Sequence, residues 1–90
     1  GWLNPYLEND ALEIVPNPSQ GSFEVRNLDS ENETSLEIYN TFGNLIYSHK
    51  IEKNTSSIFI DSLNIKNGLY FILQKDIKKN IRYNKFIILN

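Results

Sequence analysis

The 90-residue sequence has no cysteine and no methionine, one histidine, one tryptophan, three prolines and four glycines. Without cysteine there is no disulfide framework and no thiolate metal site, so the fold has to rest on its apolar core. His49 stands without a second imidazole or a thiol, which leaves no recognisable zinc-ligand spacing. Nor can a lone imidazole support much acid–base chemistry. No Ser-His-Asp or Cys-His arrangement, phosphate-binding glycine loop or GxSxG turn is present. We therefore expect no enzyme, no cofactor and no metal site. No apolar run approaches the roughly 18 residues that would cross a membrane as a helix. The opening residues Gly1-Trp2-Leu3-Asn4-Pro5 show no signal-peptide pattern, so the chain reads as a piece of something longer.

What is present is ordinary for a soluble domain: 40% hydrophobic and 22% charged residues. A chain of this length buries roughly 60% of its unfolded surface, enough for one core but leaving little room for an internal cleft. The net charge is −2, from 9 basic and 11 acidic side chains. They are unevenly placed. Residues 1–37 carry Glu8, Asp10, Glu13, Glu24, Asp29, Glu31, Glu33 and Glu37 against Arg26 alone. Residues 75–90 carry Lys75, Lys78, Lys79, Arg82 and Lys85 against Asp76 alone. An acidic front and a basic tail argue against a general nucleic-acid binder.

The hydrophobic period is two rather than 3.6. Alternation or β-rich runs predict strands over residues 11–15, 22–26, 35–40, 44–51, 57–61, 68–77 and 80–89. Phe23 and Val25 share one face, as do Leu36 and Ile38, and Ile58 and Ile60. In the fourth strand either Leu45, Tyr47, His49 and Ile51 face inward, or Ile46, Ser48 and Lys50 do. Turns at Gly43-Asn44, Asn67-Gly68 and Lys78-Lys79-Asn80 recur at the spacing of a β-sandwich, with Gly43 supplying a positive φ. The expectation is an all-β, seven-stranded antiparallel sandwich over residues 11–90, preceded by a linker or the tail of an upstream region over residues 1–10.

Three segments carry more than strand patterning. In Pro16-Asn17-Pro18-Ser19-Gln20-Gly21 two prolines fix φ and remove donors, and Gly21 releases the chain. We expect a stiff, extended crossover that protects an edge by refusing a neighbouring strand; a recognition feature is the other reading. Asp29-Ser30-Glu31-Asn32-Glu33 alternates oxygen ligands, but Thr34 and Asn40 occupy the positions where a calcium loop has Gly and Glu. A solvated acidic loop is the better reading. The last two strands, Leu69-Tyr70-Phe71-Ile72-Leu73 and Phe86-Ile87-Ile88-Leu89, are apolar on both faces, although a sandwich strand needs one buried face. Either upstream polypeptide covers the outer face, or an apolar strip bounded by Lys75, Lys85 and Arg82 docks a partner.

Four features in order, Pro16-Asn17-Pro18-Ser19-Gln20-Gly21, residues 36–46, residues 60–72 and Lys85-Phe86-Ile87-Ile88, resemble one family. It is the type A C-terminal sorting domain of the Bacteroidota type IX secretion system, the Por secretion tail. The resemblance implies an Ig-like sandwich that directs a larger cargo protein through the outer membrane. It also implies partners, an outer-membrane translocon and a surface sortase-like peptidase. The peptidase cuts in the preceding linker and leaves the cargo anchored or released at the cell surface. By position, the family's export signal falls on Gly68, Tyr70, Lys85, Phe86, Ile87, Ile88 and Leu89. Pro16, Asn17, Pro18, Gly21 and Gly43 match its structural motifs. The chain departs from the family at Asn40, where Asp is usual, and at Ser62-Leu63, where Leu-Ser is usual; Ile65 is then expected to plug the core. The runner-up reading is an Ig-like accessory module that binds carbohydrate or assists adhesion, which the lack of a Trp platform disfavours.

Overall fold

The structure, a computed structural model, describes residues 11–61 and 63–90. The expected linker over residues 1–10 lies outside them. Seven strands form: β1 (Glu13–Val15), β2 (Phe23–Arg26), β3 (Thr34–Tyr39), β4 (Leu45–Ile51), β5 (Ser57–Ile60), β6 (Gly68–Lys75) and β7 (Ile81–Ile88). They pair antiparallel into a three-stranded sheet, β1-β2-β5, and a four-stranded sheet, β4-β3-β6-β7. The alternation read from the sequence places the inner residues. Phe23, Val25, Leu36, Ile38, Tyr70, Ile72, Phe86 and Ile88 are buried between the sheets together with Leu12, Ile14, Leu28, Ile51 and Ile60. The Phe23 and Phe86 rings meet across the sandwich at 5.0 Å and 48°, and Tyr70 lies 5.9 Å from Phe86. Each such side chain contributes about 2–3 kcal/mol through burial.

Two hairpins turn by the same device. Asn40 Oδ1 accepts the N–H groups of Phe42 and Asn44 while Gly43 takes φ 82°. Asp76 Oδ1 accepts the N–H of Asn80 while Lys79 takes φ 66°. The amide oxygen of Asn40 thus occupies the place of a carboxylate oxygen, so the departure from the usual Asp leaves the turn intact. Beside this hairpin the β3–β4 register slips between Ile38 and Tyr39: Ile38 faces Tyr47, but Tyr39 faces Leu45. This β-bulge reverses the facing of one residue. Neither uniform face expected for β4 is therefore correct: Leu45 is exposed, Ile46 and Tyr47 pack on the core, His49 stacks on Tyr47 and only Ile51 is buried.

Gln74 is 2% exposed and occupies an inward position of β6. Its Oε1 accepts the Asp29 N–H at 2.7 Å, and its Nε2 donates to the Asp29 carbonyl and to Thr34 Oγ1. The acidic loop is thereby pinned to the core by one amide. It borders an open cavity of about 630 Å³ with Asp76, Asn80 and Arg82. Asp29 Oδ1 is engaged by the Glu31 N–H. Among the described residues no group of three or more His, Cys, Asp or Glu side chains is placed to hold a metal ion.

Candidate recognition surface on the C-terminal hairpin

The register of β6 with β7 sorts the doubly apolar strands into two faces. Tyr70 pairs with Phe86 and Gly68 with Ile88, and these pairs point into the sandwich; Leu69 pairs with Ile87, Phe71 with Lys85 and Leu73 with Tyr83, and these point out. Of the residues expected to form the signal, Lys85, Ile87 and Leu89 are thus exposed. Tyr70, Phe86 and Ile88 belong to the core. The outer row is apolar without being covered: Phe71 is 37% and Ile87 42% exposed. Nothing among the described residues overlies it.

The charges around this surface differ in kind. On the neighbouring strand Glu37 faces Leu73, and Tyr39 faces Phe71. Lys75 Nζ sits 2.9 Å from Glu37 Oε1, and Tyr39 Oη donates to the same oxygen at 2.8 Å. The Lys75 hydrogen bond holds the Glu37 carboxyl below its ordinary value despite partial burial. The same bond raises Lys75, and the Glu37 carboxylate raises the Tyr39 phenol. Lys85, between Phe71 and the exposed Ile87, makes no ion pair among the described residues. Arg82 does not bound the strip. It pairs with Gln74 and therefore faces the other side of the sheet, where its guanidinium donates to the Asn27 carbonyl at 2.9 Å. Strict alternation along β7 puts Arg82 and Lys85, three residues apart, on opposite faces.

Tyr70 supports the hairpin from within, and the exposed Gly68 opens its first strand. Tyr70 Oη donates to the Lys66 carbonyl at 2.6 Å, four residues upstream. This hydrogen bond resembles the tyrosine corner of Ig-like sandwiches. Gly68 enters β6 with φ 153°, and a side-chain carbon there would meet the Tyr70 ring at 4.0 Å.

The Pro-Asn-Pro segment overturns part of its reading. Residues 16–18 bend rather than run straight, and both the Val15–Pro16 and Asn17–Pro18 peptide bonds are cis. The segment also pairs with a strand: Ser19 forms a parallel bridge to Ile88. Proline removes only its own donor, so Ser19 keeps both backbone groups and Asn17 keeps a side-chain acceptor. Ser19 donates to the Ile87 carbonyl and accepts from Leu89 N–H, while Asn17 Oδ1 accepts from Ile87 N–H. The edge of β7 is indeed covered, by bonding to it. Ser19 Oγ also accepts the Gly21 N–H, which closes the bend. Leu63 and Ile65 are both half-buried against the core.

Sequence reasoning missed three amides. Asn84 Nδ2 donates to the Leu12 carbonyl, Asn27 Nδ2 to that of Ala11, and Gln74 holds the acidic loop. Only Gln74 left a trace, as a polar residue at an inward position of an apolar strand.

The architecture and this surface can be set beside known proteins. The crystal structure of a DUF3244 family protein with an immunoglobulin-like β-sandwich fold, from Bacteroides vulgatus ATCC 8482, superposes with a TM-score of 0.65. The alignment covers 87% of this chain and 94% of that one at 14% identity, which shows a shared fold. Curated proteins give no match. The family model of the secretion system C-terminal sorting domain matches residues 13–89, every strand described above. The protein belongs to that family, the C-terminal sorting domains of type IX secretion.

Proposed function

We propose that the outer face of the β6–β7 hairpin is the surface by which the type IX machinery reads this domain. Lys85, Ile87 and Leu89, with Leu69 and Phe71, meet the translocon. Tyr70, Phe86 and Ile88 hold that face in shape from the core side, and Gly68 starts its first strand. The observation that carries this reading is the Lys85 ammonium, without an ion pair among the described residues, set in an apolar row that none of them covers. Such a row is unfavourable to leave in water and suits a partner that presents an acidic group within an apolar surface. The domain itself does no chemistry. It directs an upstream cargo protein across the outer membrane, after which a sortase-like peptidase cuts in the region before residue 11 and leaves the cargo at the cell surface or free.

The test joins residues 11–90 to a periplasmic reporter in a type IX-competent bacterium. The parent fusion is expected outside the cell. Ile87→Thr with Leu89→Thr touches only exposed side chains, so the variant is expected to fold and to strand its reporter in the periplasm. Normal export of that folded variant would sink the proposed surface. A parent fusion that never leaves the periplasm would sink the export role.

A further inference from the structure

Residues 12–19, which include β1, and the last strand lie side by side and run in the same direction. Five hydrogen bonds join them. Leu12 N–H donates to the Tyr83 carbonyl at 3.2 Å and Asn84 Nδ2 to the Leu12 carbonyl at 2.7 Å. Farther along, Ile87 N–H reaches Asn17 Oδ1 at 2.9 Å, Ser19 N–H the Ile87 carbonyl at 2.9 Å, and Leu89 N–H the Ser19 carbonyl at 2.8 Å. The bridge of Ser19 to Ile88 is parallel. Ala11 therefore lies at the Tyr83 end of β7 and Asn90 at the Ile88 end.

We infer that residues 12–19 and β7 form a load-bearing clamp, which keeps the domain folded when tension is applied between the upstream polypeptide and the C-terminal strand. The reason is the direction of the load. Two parallel neighbours pulled from opposite ends slide past one another, so every bond between them is loaded at once. In the β6–β7 hairpin, Gly68 pairs with Ile88 at one end. Pulling there separates the strands pair by pair, loading one bond at a time. The same five bonds resist the first geometry together and the second hardly at all. Burial reinforces the clamp, because Leu12 and Ser19 are both buried at its two ends.

The use of the clamp in transport rests on the export reading. A cargo attached before residue 11 would pull against a domain held by its β6–β7 face, which is the shear direction. The clamp itself does not depend on that reading.

Single-molecule pulling on the 90-residue chain tests it. Since the sequence has no cysteine, Gly1→Cys with Asn90→Cys gives a unique attachment pair in shear. Lys66→Cys with Asn90→Cys gives the peeling pair. At one loading rate, shear is expected to require roughly twofold or more the peeling force, since forced unfolding follows the barrier along the loaded direction. Asn17→Ala, which deletes one clamp bond, should speed unfolding at constant shear load about fivefold and leave peeling unchanged. Should Asn17→Ala not fold, Asn84→Ala, which deletes the bond to Leu12, takes its place. Equal forces in the two directions overturn the clamp, as does a folded clamp variant with unaltered shear lifetime. Both results are independent of whether a reporter is exported.

Discussion

The carbonyl oxygen of Leu63 stands 2.6 Å from the point where a side-chain carbon on Gly21 would sit, and the Leu63 N–H donates to the Gly21 carbonyl at 2.7 Å. The two backbones are locked against each other where the Pro-Asn-Pro segment hands over to β2. Gly21 also holds φ 109°, a region that strains any L side chain. Gly21→Ala therefore has to push back a backbone carbonyl, not a flexible side chain. We expect a loss of about 2–4 kcal/mol, read from the midpoint of urea unfolding. Gly43→Ala is the control. Its φ is 82° but nothing lies within 4 Å, so only the conformational cost of about 1–2 kcal/mol applies.

Gln74→Leu is expected to cost about 2–3 kcal/mol although it swaps one buried side chain for another of similar size. The Asp29 N–H and carbonyl and the Thr34 hydroxyl all lose a partner where water has little access. Hydrogen exchange gives a sharper readout than the midpoint. The Asp29 amide should exchange faster by more than the global stability loss explains, because its one hydrogen bond among the described residues goes to Gln74. An acceleration no larger than the global stability loss would mean that the loop is held by something else.

Acid sensitivity follows from two carboxyls. Glu37 is held below its ordinary value chiefly by the Lys75 hydrogen bond, and Asp76 by the hydrogen bonds from Asn80. A carboxyl depressed in the folded state adds stability above its unfolded value, and that stability is lost as pH falls through the folded value. The decline should thus begin near the ordinary values of 4.5 and 3.8 and continue below them. Glu37→Gln and Asp76→Asn should each flatten this limb in a pH series of urea midpoints. Asp76→Asn also recreates the Asn40 turn, so its stability at neutral pH should change little. Lys75 works at the other end: its raised value adds stability that is lost only as pH climbs above 10.5 through the folded value. Because both Lys75 and Asp76 are partly exposed to solvent, their shares are small.

Much of this fold was legible because period-two alternation and turn chemistry are local. All seven strands could be placed from Phe23/Val25-type pairs and from Gly43, Asn67-Gly68 and Lys79-Asn80. What was not legible is which face of β6 and β7 turns inward. Residues 69–73 and 86–89 are apolar at every position, so alternation gives two parities and no means of choosing. Gly68 pairing with Ile88, and Tyr70 with Phe86, decides it. The facing of Leu45 depends on the bulge at Ile46 in its own strand, visible only in the pairing with β3, and that of Arg82 on the parity just described. The bonding of Ser19 to β7 joins residues nearly the whole chain apart, which no local pattern encodes.

The same parity separates support from contact within the candidate signal. Tyr70 Oη reaches inward to the Lys66 carbonyl, whereas Ile87 reaches out. Tyr70→Phe keeps the ring against Phe86 and removes one hydrogen bond, so stability should fall by about 1 kcal/mol with the outer face unaltered. For a domain of this size that is about 4–8 °C in Tm. A reporter fused to the Tyr70→Phe domain should therefore still be exported at a temperature where the domain is folded. Ile87→Thr should show the reverse pattern, with little change in Tm and export lost. If Tyr70→Phe blocked export while its Tm and circular dichroism stayed near the parent values, the phenol itself would be read by the machinery. The division between an inner supporting face and an outer contacting face would then be wrong.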